Sequence, residues 1–543
     1  MAVAAPERHY TPARSPRRTV IAALLGVLAL VIGLALVVLV LSGVTLARDA
    51  SALARVDVKP LGGTIEHLEA LGPDGRRIPI AVRDGRLTPL RKLHPGTRLT
   101  VLVTVQRPGW IGWALGERHT VRLTLTTPVA AVSQRWMTVP GGSDVRIAFQ
   151  EPVREVLYRG PRGLRRRTLH PGTRSVSLGA QPPTGTVQVA AAPRSWESVG
   201  RSTPVSWFPP SHYPVMATYP SPSSRISPSG AIILTFSKPV SEVLGDRHPR
   251  LSPYTPGRWR ESDSHTLVFR PSGFGAPLGS QLKMSLPHRV SVTSGSGSGL
   301  EATSQVQWTV PSGSMLRLQQ LLAEQGYLPL VWQPSGHPIG RTARAQVAAA
   351  VEPPPGHFHW RYHNTPHQLK ALWAAGEPNT IVRGAVMKLE NLNDMTADGI
   401  AGATVWRRLM DDGLAHKRLH EGYSYVYVHR EVPETATLWH AGHTILSSAA
   451  NTGISGAETA LGTYPVFEHI PEGTMSGTNP DGSHYEDPGI KWISYFNGGD
   501  ALHNFDRASF GSPQSLGCVE LPLEAAAKIW KYTPIGTLVT IEG

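Results

Sequence analysis

The sequence predicts a multidomain, mainly β protein with one apolar helix near its N-terminus. The 543 residues include 54 glycines and 48 prolines. So many of both without a strict period are typical of short strands and turns, not of long helical arrays. Helical spacing of apolar residues is concentrated in one stretch, residues 313–414. At about 150 residues per domain, the length suggests three or four domains with connecting segments.

An uncharged, strongly apolar run extends from Val20 to Leu41 and follows four arginines. Its 22 residues would extend about 33 Å as a helix, enough to cross a bilayer core of about 30 Å. Because few basic residues follow the run, we expect the N-terminus in the cytoplasm and the bulk of the chain outside. We predict a cytoplasmic basic tail at residues 1–18 and an uncleaved transmembrane signal-anchor at 19–42. A cleaved signal peptide is the alternative.

Short strand-like runs separated by Pro, Gly and Ser fill residues 51–311. In residues 98–105 and 120–126, for example, apolar and polar residues alternate as in half-buried strands. Turn residues recur at intervals of about 8–12 residues, as they do in β-sandwiches. We predict three sandwich modules, at residues 51–128, 129–210 and 211–311, and interpret their function as spacing.

The third of these modules carries a resemblance to a known family. Residues 227–240 (SPSGAIILTFSKPV), with Pro256-Gly-Arg-Trp259 and residues 266–271, resemble a bacterial immunoglobulin-like module. Modules of that family commonly act as stalks on cell-surface proteins. The resemblance therefore implies an immunoglobulin-like stalk, and we expect the two preceding modules to be of the same kind.

The periodicity changes after residue 312. Residues 315–328 (MLRLQQLLAEQGYL) have apolar residues at helical spacing, and Gly326 lies where a helix C-cap glycine would. Together with Asp398-Gly-Ile-Ala-Gly-Ala-Thr-Val-Trp406, this segment resembles the helical peptidoglycan-binding domain. The resemblance implies that residues 313–414 bind the cell wall. A helical spacer without affinity for sugar is the alternative.

Four histidines of this segment could suggest a zinc site. Pro366 interrupts any helix that would place two of them on one face, and neither a cysteine nor a carboxylate completes a recognisable ligand set. We interpret them as solvated or hydrogen-bonded, and the sequence calls for no metal, nucleotide or other cofactor. The four are His357, His359, His363 and His367.

The formal net charge of +14 indicates an anionic neighbour. The sequence contains no basic helix, aromatic-basic ribbon or zinc-ligand spacing that would indicate binding to nucleic acid. We therefore exclude nucleic acid as a partner and favour an acidic polymer of the cell envelope or an anionic lipid surface.

The chain has a single cysteine, Cys518, in the turn Ser515-Leu516-Gly517-Cys518 near the C-terminus. A lone cysteine cannot form an intramolecular disulfide. His503 lies upstream of it, and an imidazole can take the proton of a thiol and so activate it as a nucleophile. A buried cysteine that acts as a small hydrophobic residue is the alternative, which the cysteine count alone favours.

The motifs around this cysteine resemble those of the L,D-transpeptidase catalytic domain. In order, they are a Thr-x-x-Gly segment at Thr459 and Gly462, a Trp-containing strand, His503, a Ser-x-Gly-Cys turn and a terminal Gly-Thr-x-Val strand. The resemblance covers residues 421–543. It implies a β-sandwich built around a Cys/His site, which cross-links peptidoglycan stem peptides through their third residue, usually a diamino acid.

The resemblance also implies a role for each residue of the site. Cys518 matches the nucleophile, and His503 matches the general base and acid. The main-chain carbonyl of Asn504 would orient the imidazole. The backbone N–H groups of Gly517 and Cys518 would face the oxyanion, and Gly517 would permit a close backbone approach. Ser515 is interpreted as a hydrogen-bonding residue that shapes the turn.

Two positions depart from the family pattern. Leu516 stands where the family often has His, and Glu520 stands where it often has Arg or Asn. Because Leu516 cannot donate to an oxyanion, the backbone amides would have to stabilise it. Glu520 cannot bind a substrate carboxylate as Arg could, and a nearby carboxylate raises the pKa of a thiol. These departures bear on substrate preference.

Residues 475–488 contain several glycines and an Asn-Pro-Asp-Gly turn. We expect them to form a loop, which would be either a lid over the site or a disordered surface excursion. Trp492 and Tyr495 follow on a predicted strand. Aromatic residues there are expected in the core, with the wall of the cleft as the alternative.

The resemblances together imply a membrane-anchored, extracytoplasmic L,D-transpeptidase that forms 3→3 peptidoglycan cross-links through a cysteine thioester. Its partners would be donor and acceptor stem peptides and the cell membrane. Two alternatives stay open. One is an L,D-carboxypeptidase with water as the acceptor, and the other is an inactive, cell-wall-binding structural protein.

Overall fold

The computed structural model describes residues 16–160, 163–293 and 299–543. The chain divides into two compact units, residues 1–210 and 211–543. Strands far outnumber helices, which confirms the mainly β class predicted from the sequence. Most of the predicted basic tail lies outside the described residues.

The first element is a long apolar helix, α1 (Pro16–Leu41). Its segment Val20–Leu41 is long and apolar enough to cross a membrane, and none of it is buried inside the protein. A signal sequence near an N-terminus has the same properties. The structure therefore confirms the apolar helix that the sequence predicts near the N-terminus.

The β-structure nearest this helix consists of two four-stranded sheets around one apolar core. Their strand orders are β1-β2-β6-β5 and β4-β3-β7-β8. Along β7 every second residue is buried, as the alternation at residues 98–105 predicts. The elements are β1 (Val44–Ala47), β2 (Ala54–Val58), β3 (Thr64–Leu71), β4 (Arg77–Ile78), β5 (Ile80–Arg83), β6 (Arg86–Pro89), β7 (Arg98–Gln106), α2 (Gly109–Leu115) and β8 (Arg118–Thr126).

The rest of the first unit has a five-stranded sheet, β12-β11-β14-β15-β9, and a two-stranded sheet, β10-β13, around a second core. Trp196 of this region packs into the first core, and its Nε1–H donates to the Ser51 carbonyl (3.0 Å). The strands are β9 (Trp136–Thr138), β10 (Asp144–Ala148), β11 (Glu155–Gly160), β12 (Gly163–Thr168), β13 (Ser175–Ala180), β14 (Gly185–Ala192) and β15 (Thr203–Phe208).

The second unit begins with a seven-stranded sheet that has its own core. Its strand order is β18-β21-β16-β17-β20-β19, and β22 pairs with β21. The elements are β16 (Val215–Tyr219), β17 (Ile232–Phe236), α3 (Val240–Leu244), β18 (Arg250–Ser252), β19 (Gly257–Asp263), β20 (Thr266–Pro271), β21 (Gln281–Thr293) and β22 (Leu300–Thr309).

The following segment contains five helices and a two-stranded antiparallel sheet, β23-β24. The first helix ends as predicted, with Gly326 at φ +84° just past its C-cap. Pro366 directly precedes α6, so His363 and His367 do not share a helix. The elements are α4 (Met315–Glu324), β23 (Leu330–Pro334), α5 (Ala343–Val351), β24 (Gly356–Trp360), α6 (His367–Ala371), α7 (Thr380–Asn391) and α8 (Ala403–Leu414).

The C-terminal β-structure has a five-stranded sheet, β27-β26-β25-β33-β28, and a four-stranded sheet, β29-β30-β31-β32. Their apolar side chains share one core with α9. The elements are β25 (Ser424–His429), β26 (Thr435–His440), β27 (His443–Ala449), β28 (Gly462–Pro465), β29 (Glu468–Thr478), β30 (His484–Asn497), β31 (Asp500–Asn504), β32 (Val519–Leu521), α9 (Leu523–Trp530) and β33 (Leu538–Glu542).

The five-helix segment and this β-structure are not separate bodies. Tyr425, Trp439 and Leu538 of the five-stranded sheet belong to the core of the helical segment. A Cβ atom added to Gly384 of α7 would lie 2.4 Å from the Gly536 carbonyl oxygen. The helix therefore approaches the sheet at backbone distance, and the two parts share one apolar core.

The prediction of a loop at residues 475–488 is wrong. Strands β29 and β30 pair along this stretch, from Glu468 opposite Tyr495 to Thr478 opposite His484. The glycines suggested a loop, because a strand interior usually avoids them. In this hairpin the two strands continue to pair on both sides of a bulge between Gly473 and Met475. The Asn-Pro-Asp-Gly turn lies at the tip of a long hairpin.

Candidate active site

Two neighbouring parallel strands position the candidate nucleophile and base. In the ladder of β31 and β32, Leu502 lies opposite Val519, and His503 lies opposite Glu520. Leu502 and Val519 point into the core. Because side chains alternate along a strand, His503, Glu520 and Cys518, which precedes β32, lie on the opposite face. The sheet thus brings His503 and Cys518 to one surface.

His503 is only 3% exposed, and its orientation is fixed by the backbone. Its Nδ1 lies 2.8 Å from the carbonyl oxygen of Asn504. A carbonyl can only accept a hydrogen bond, so Nδ1 carries the proton and donates it. In the neutral imidazole this leaves Nε2 with a free lone pair. Burial lowers the pKa of His503, while the bond to Asn504 opposes that shift. The neutral, base-competent form is therefore favoured.

Cys518 is partly exposed at its surface but densely surrounded by protein. Its Sγ–H donates to the Gly499 carbonyl (3.6 Å). Burial raises the pKa of the thiol to about 12, and the carboxylates of Asp500 and Glu520 add to the increase. Both shifts favour the neutral forms, a thiol and an imidazole. A thiol in this form would have to lose its proton to act as a nucleophile.

Alkylation of the folded protein by iodoacetamide tests this protonation state. Because the thiolate is the reactive form, we expect the rate to rise about tenfold per pH unit from pH 7 to pH 10 without a plateau. The chain has no second cysteine, so intact-mass measurement of the modified fraction reports Cys518 alone. A plateau that begins below pH 8 would show that the site holds a preformed thiolate.

The turn before Cys518 is held by Ser515. Its Oγ donates to the Cys518 carbonyl (2.6 Å) and accepts from the Gly517 N–H (3.3 Å). Ser515 thus has the contacts of a turn-shaping residue. The Gly517 N–H, expected to face an oxyanion, is engaged by Ser515 at a long hydrogen-bond distance in this structure. It would have to exchange this partner for the oxyanion.

Thr459 supports the same turn from another segment. It is fully buried, and its Oγ1 accepts from the Gly453 N–H (2.9 Å) and donates to the Cys518 carbonyl (3.5 Å). Gly462 of the same sequence motif begins β28. Both residues therefore have structural positions.

Arg507 is a residue of the site that sequence reasoning missed. Its Nε and Nη2 donate to the two carboxylate oxygens of Glu520 (2.8 and 2.7 Å), and its guanidinium lies over the Phe505 ring, 4.5 Å from the centroid. Glu520 is 4% exposed. The Arg507 guanidinium thus compensates the negative charge of Glu520, whereas the sequence suggested an unpaired carboxylate. The effect of Glu520 on the thiol pKa nevertheless has the expected sign.

Two buried polar residues hold the loop between His503 and Cys518. The Glu434 N–H donates to the Gly511 carbonyl (2.9 Å), and its carboxylate accepts from the N–H and the hydroxyl of Thr452 (both 2.6 Å). Asn451 accepts from the Gly511 N–H (2.9 Å), and its backbone bridges to Glu520. Glu434 and Asn451 are fully buried. No motif in the sequence marks them, because their function depends on a loop that approaches from a distant part of the chain.

The hairpin of β29 and β30 lies beside Cys518. Tyr485 and Tyr495 have pKa values raised by burial and, secondarily, by charge on Cys518. Tyr495 was expected in the core. It instead packs in a small apolar cluster with Cys518, so it lies at the site. Trp492 packs against the core and the Trp530 ring (centroids 5.1 Å apart), as expected. The hairpin thus contributes an aromatic wall.

Comparison with known proteins supports the resemblance stated from the sequence. Residues 422–541 match the YkuD family model, described as the L,D-transpeptidase catalytic domain. This confirms the resemblance for the C-terminal β-structure. No curated protein matches the chain at a significant level.

Among solved structures, the chain is similar to an L,D-transpeptidase from Mycobacterium smegmatis (11% identity, 61% of this chain and 99% of that chain, TM-score 0.21). It is also similar to one from Mycobacterium tuberculosis H37Rv (11% identity, 61% and 98%, TM-score 0.20). The catalytic domain of the E. faecium L,D-transpeptidase shares 23% identity over 23% of this chain and 100% of that chain, with a TM-score of 0.21.

Proposed function

We propose that this chain, whose residues 422–541 match the L,D-transpeptidase catalytic domain, is a membrane-anchored, extracytoplasmic L,D-transpeptidase that forms 3→3 cross-links through a thioester on Cys518. One observation carries the proposal. His503 and Cys518 lie on one face of adjoining strands, and the hydrogen bond from His503 Nδ1 to Asn504 leaves Nε2 free to take the thiol proton. The family match supports peptidoglycan stem peptides as the substrate.

In the first half-reaction, His503 Nε2 takes the proton of Cys518 while Sγ attacks the carbonyl between the third residue and the terminal D-Ala of a donor stem. Backbone N–H groups of the 515–518 turn stabilise the tetrahedral oxyanion. The carbon–nitrogen bond then breaks, and the amine of D-Ala leaves with the proton from His503. The donor remains bound to Cys518 as a thioester.

In the second half-reaction, His503 takes a proton from the side-chain amine of an acceptor stem as that amine attacks the thioester carbonyl. The carbon–sulfur bond breaks, and Sγ regains the proton. The product is a 3→3 peptide bond between two stems. With water as the acceptor the product is a shortened stem, which is the L,D-carboxypeptidase alternative.

Incubation of the purified ectodomain with a carbapenem tests the active thiol. We expect the intact mass of the wild type to increase by the mass of one drug molecule per chain. The mass of Cys518→Ala should not change, because Cys518 is the only cysteine of the chain. Circular dichroism would verify that both proteins are folded. An unmodified wild type, folded and reduced, would favour the inactive, wall-binding alternative, and an adduct on Cys518→Ala would place the nucleophile elsewhere.

The acceptor is tested separately with purified disaccharide-tetrapeptide. We expect the wild type to produce a cross-linked dimer, whose 3→3 bond mass-spectrometric sequencing identifies. Tripeptide without dimer would identify the enzyme as an L,D-carboxypeptidase.

We also propose that residues 313–414 bind the cell wall. A cleft of about 380 Å³ opens between α4, α5 and the end of α8, and Trp332 forms part of its wall. Among the described residues that line it, Glu324 is the one carboxylate, whereas Arg341, Lys417 and Arg418 are exposed cations. This charge suits an anionic polymer, and the three sandwich modules would serve as spacers.

Co-sedimentation with purified sacculi tests the cleft. The intact ectodomain is required, because the helical segment shares its core with the catalytic sheet. We expect Arg341→Ser/Arg418→Ser to reduce the pelleted fraction at low salt. Arg258→Ser/Arg260→Ser, which removes two exposed charges from β19, is the matched control. Equal pelleting of the two variants would indicate that the cleft has no part in wall binding, as expected of a spacer.

A further inference from the structure

Two exposed tryptophans lie on the short helix α2. Trp110 is 60% exposed and Trp113 is 84% exposed. They are three residues apart and therefore share one face of the helix, while Ile111 (2% exposed) attaches the helix to the module. All 14 tryptophans of the sequence lie within the described residues, and the other twelve are buried or half-buried. Exposed indoles are thus confined to this one helix.

Helix α2 is attached to the end of the apolar helix α1. The Arg107 side chain donates through Nε to the Ser42 carbonyl (3.1 Å), directly after α1, and through Nη1 to the Leu115 carbonyl (2.5 Å), at the end of α2. A second bond, from the Leu61 N–H to the Leu41 carbonyl (3.0 Å), also attaches the end of α1 to the module. One guanidinium therefore holds the C-terminal ends of both helices together.

This attachment sets the depth of α2 when α1 spans a bilayer. Leu41, the last residue of α1, then lies near the outer boundary of the hydrocarbon core. The headgroup layer extends roughly 5–8 Å beyond that boundary. Because Leu115 and Ser42 bind the same guanidinium, the end of α2 lies within this layer. Tryptophan is enriched at this level, where the apolar ring and the polar N–H both find suitable surroundings.

We infer that Trp110 and Trp113 insert into the headgroup layer of the outer membrane–water interface and form a second membrane contact beside the span. The inference rests on the proposed membrane anchoring. The rings exclude water among the lipid glycerol and headgroup atoms, and the indole N–H groups donate to phosphate or ester oxygens. A single span leaves the first module free to tilt, whereas this second contact fixes its orientation relative to the membrane.

Spin-label accessibility in the full-length protein tests the inference. In a Cys518→Ala background, Gly109→Cys places a label at the start of α2, where no neighbouring atom lies within 4 Å of an added Cβ. The protein is reconstituted into phosphatidylglycerol–phosphatidylethanolamine vesicles. Leu34→Cys within α1 and Arg146→Cys on the exposed face of β10 serve as bilayer and water references. Power saturation with oxygen and with a nickel chelate reports the depth of each label.

We expect the label at position 109 to lie between the two references. In Trp110→Ser/Trp113→Ser its nickel accessibility should increase, because α2 loses its contact with lipid and is then held near the surface only through the end of α1. The label at position 34 should stay in the bilayer. Because both tryptophans are exposed, their replacement leaves the fold intact, which circular dichroism verifies. An aqueous label at 109 in the wild-type background, or no shift in the double variant, would overturn the second contact while anchoring stands. An aqueous label at position 34 would overturn the anchoring and this inference together.

Discussion

Replacing His503 by glutamine is expected to slow acylation of Cys518 by a carbapenem by about 10²–10⁴-fold, the usual contribution of a positioned general base. The thiol pKa of about 12 leaves almost no thiolate near neutral pH. The wild-type reaction therefore depends on Nε2 to remove the proton. Glutamine fills a similar volume at this buried position but has no basic nitrogen, so the reaction would depend on the small thiolate fraction.

The pH dependence distinguishes this explanation from simple damage to the site. Burial lowers the pKa of His503 below its usual 6.5, so the wild-type acylation rate should already be level at pH 7. In His503→Gln the rate should instead increase about tenfold per pH unit up to pH 10, as thiolate accumulates. Stopped-flow acylation rates across this range provide the measurement. A variant that is slow but independent of pH would contradict a general-base role for His503.

The sequence was sufficient for the parts of the site that depend on neighbouring residues. Cys518, Ser515 and Gly517 belong to one short turn, and His503 receives its orientation from the next residue, Asn504. Such contacts follow from local backbone geometry, so a motif can indicate them. The pairing of residues 424–429 with residues 435–440 is equally local, since a short connection joins the two strands.

The remaining parts depend on contacts between distant segments. The ion pair of Arg507 with Glu520 and the bond from the Gly511 N–H to Asn451 form only when the loop before Cys518 closes onto other strands. Neither residue type nor spacing specifies such contacts. The paired strands within residues 475–488 were missed for another reason, because the glycines and prolines there favour turns while the cross-strand ladder overrides that preference.

Glycine at position 517 is required by a specific contact, and Gly517→Ala is expected to show the second large effect. Its φ of +117° is unfavourable for a residue with a side chain. In addition, an added Cβ would lie 2.4 Å from Oδ1 of Asp500, too close for any stable contact. Either Asp500 or the turn must move. We expect acylation of Cys518 to slow by roughly two orders of magnitude, since displacement of a reacting group by about 1 Å has this effect.

A matched variant separates the backbone strain from the steric contact. Gly456 has a positive φ of +86°, and no atom lies within 4 Å of an added Cβ. Gly456→Ala should therefore cost only the conformational strain, about 1–3 kcal/mol of stability, and leave the acylation rate near that of the wild type. Thermal unfolding and acylation rates of both variants would be measured together. Equal effects would show that strain alone demands glycine at position 517.

Combining Gly517→Ala with Asp500→Ala completes the test. Removal of the carboxylate relieves the contact and also removes a negative charge that raises the Cys518 pKa. The double variant should therefore acylate faster than Gly517→Ala, while its turn retains the strain of a positive φ. If it were no faster, the displaced element would be the turn itself and not Asp500. The single variant Asp500→Ala reports the effect of the charge alone. A larger gain from Asp500→Ala in the Gly517→Ala background than in the wild type would identify Asp500 as the residue against which the turn before Cys518 is packed.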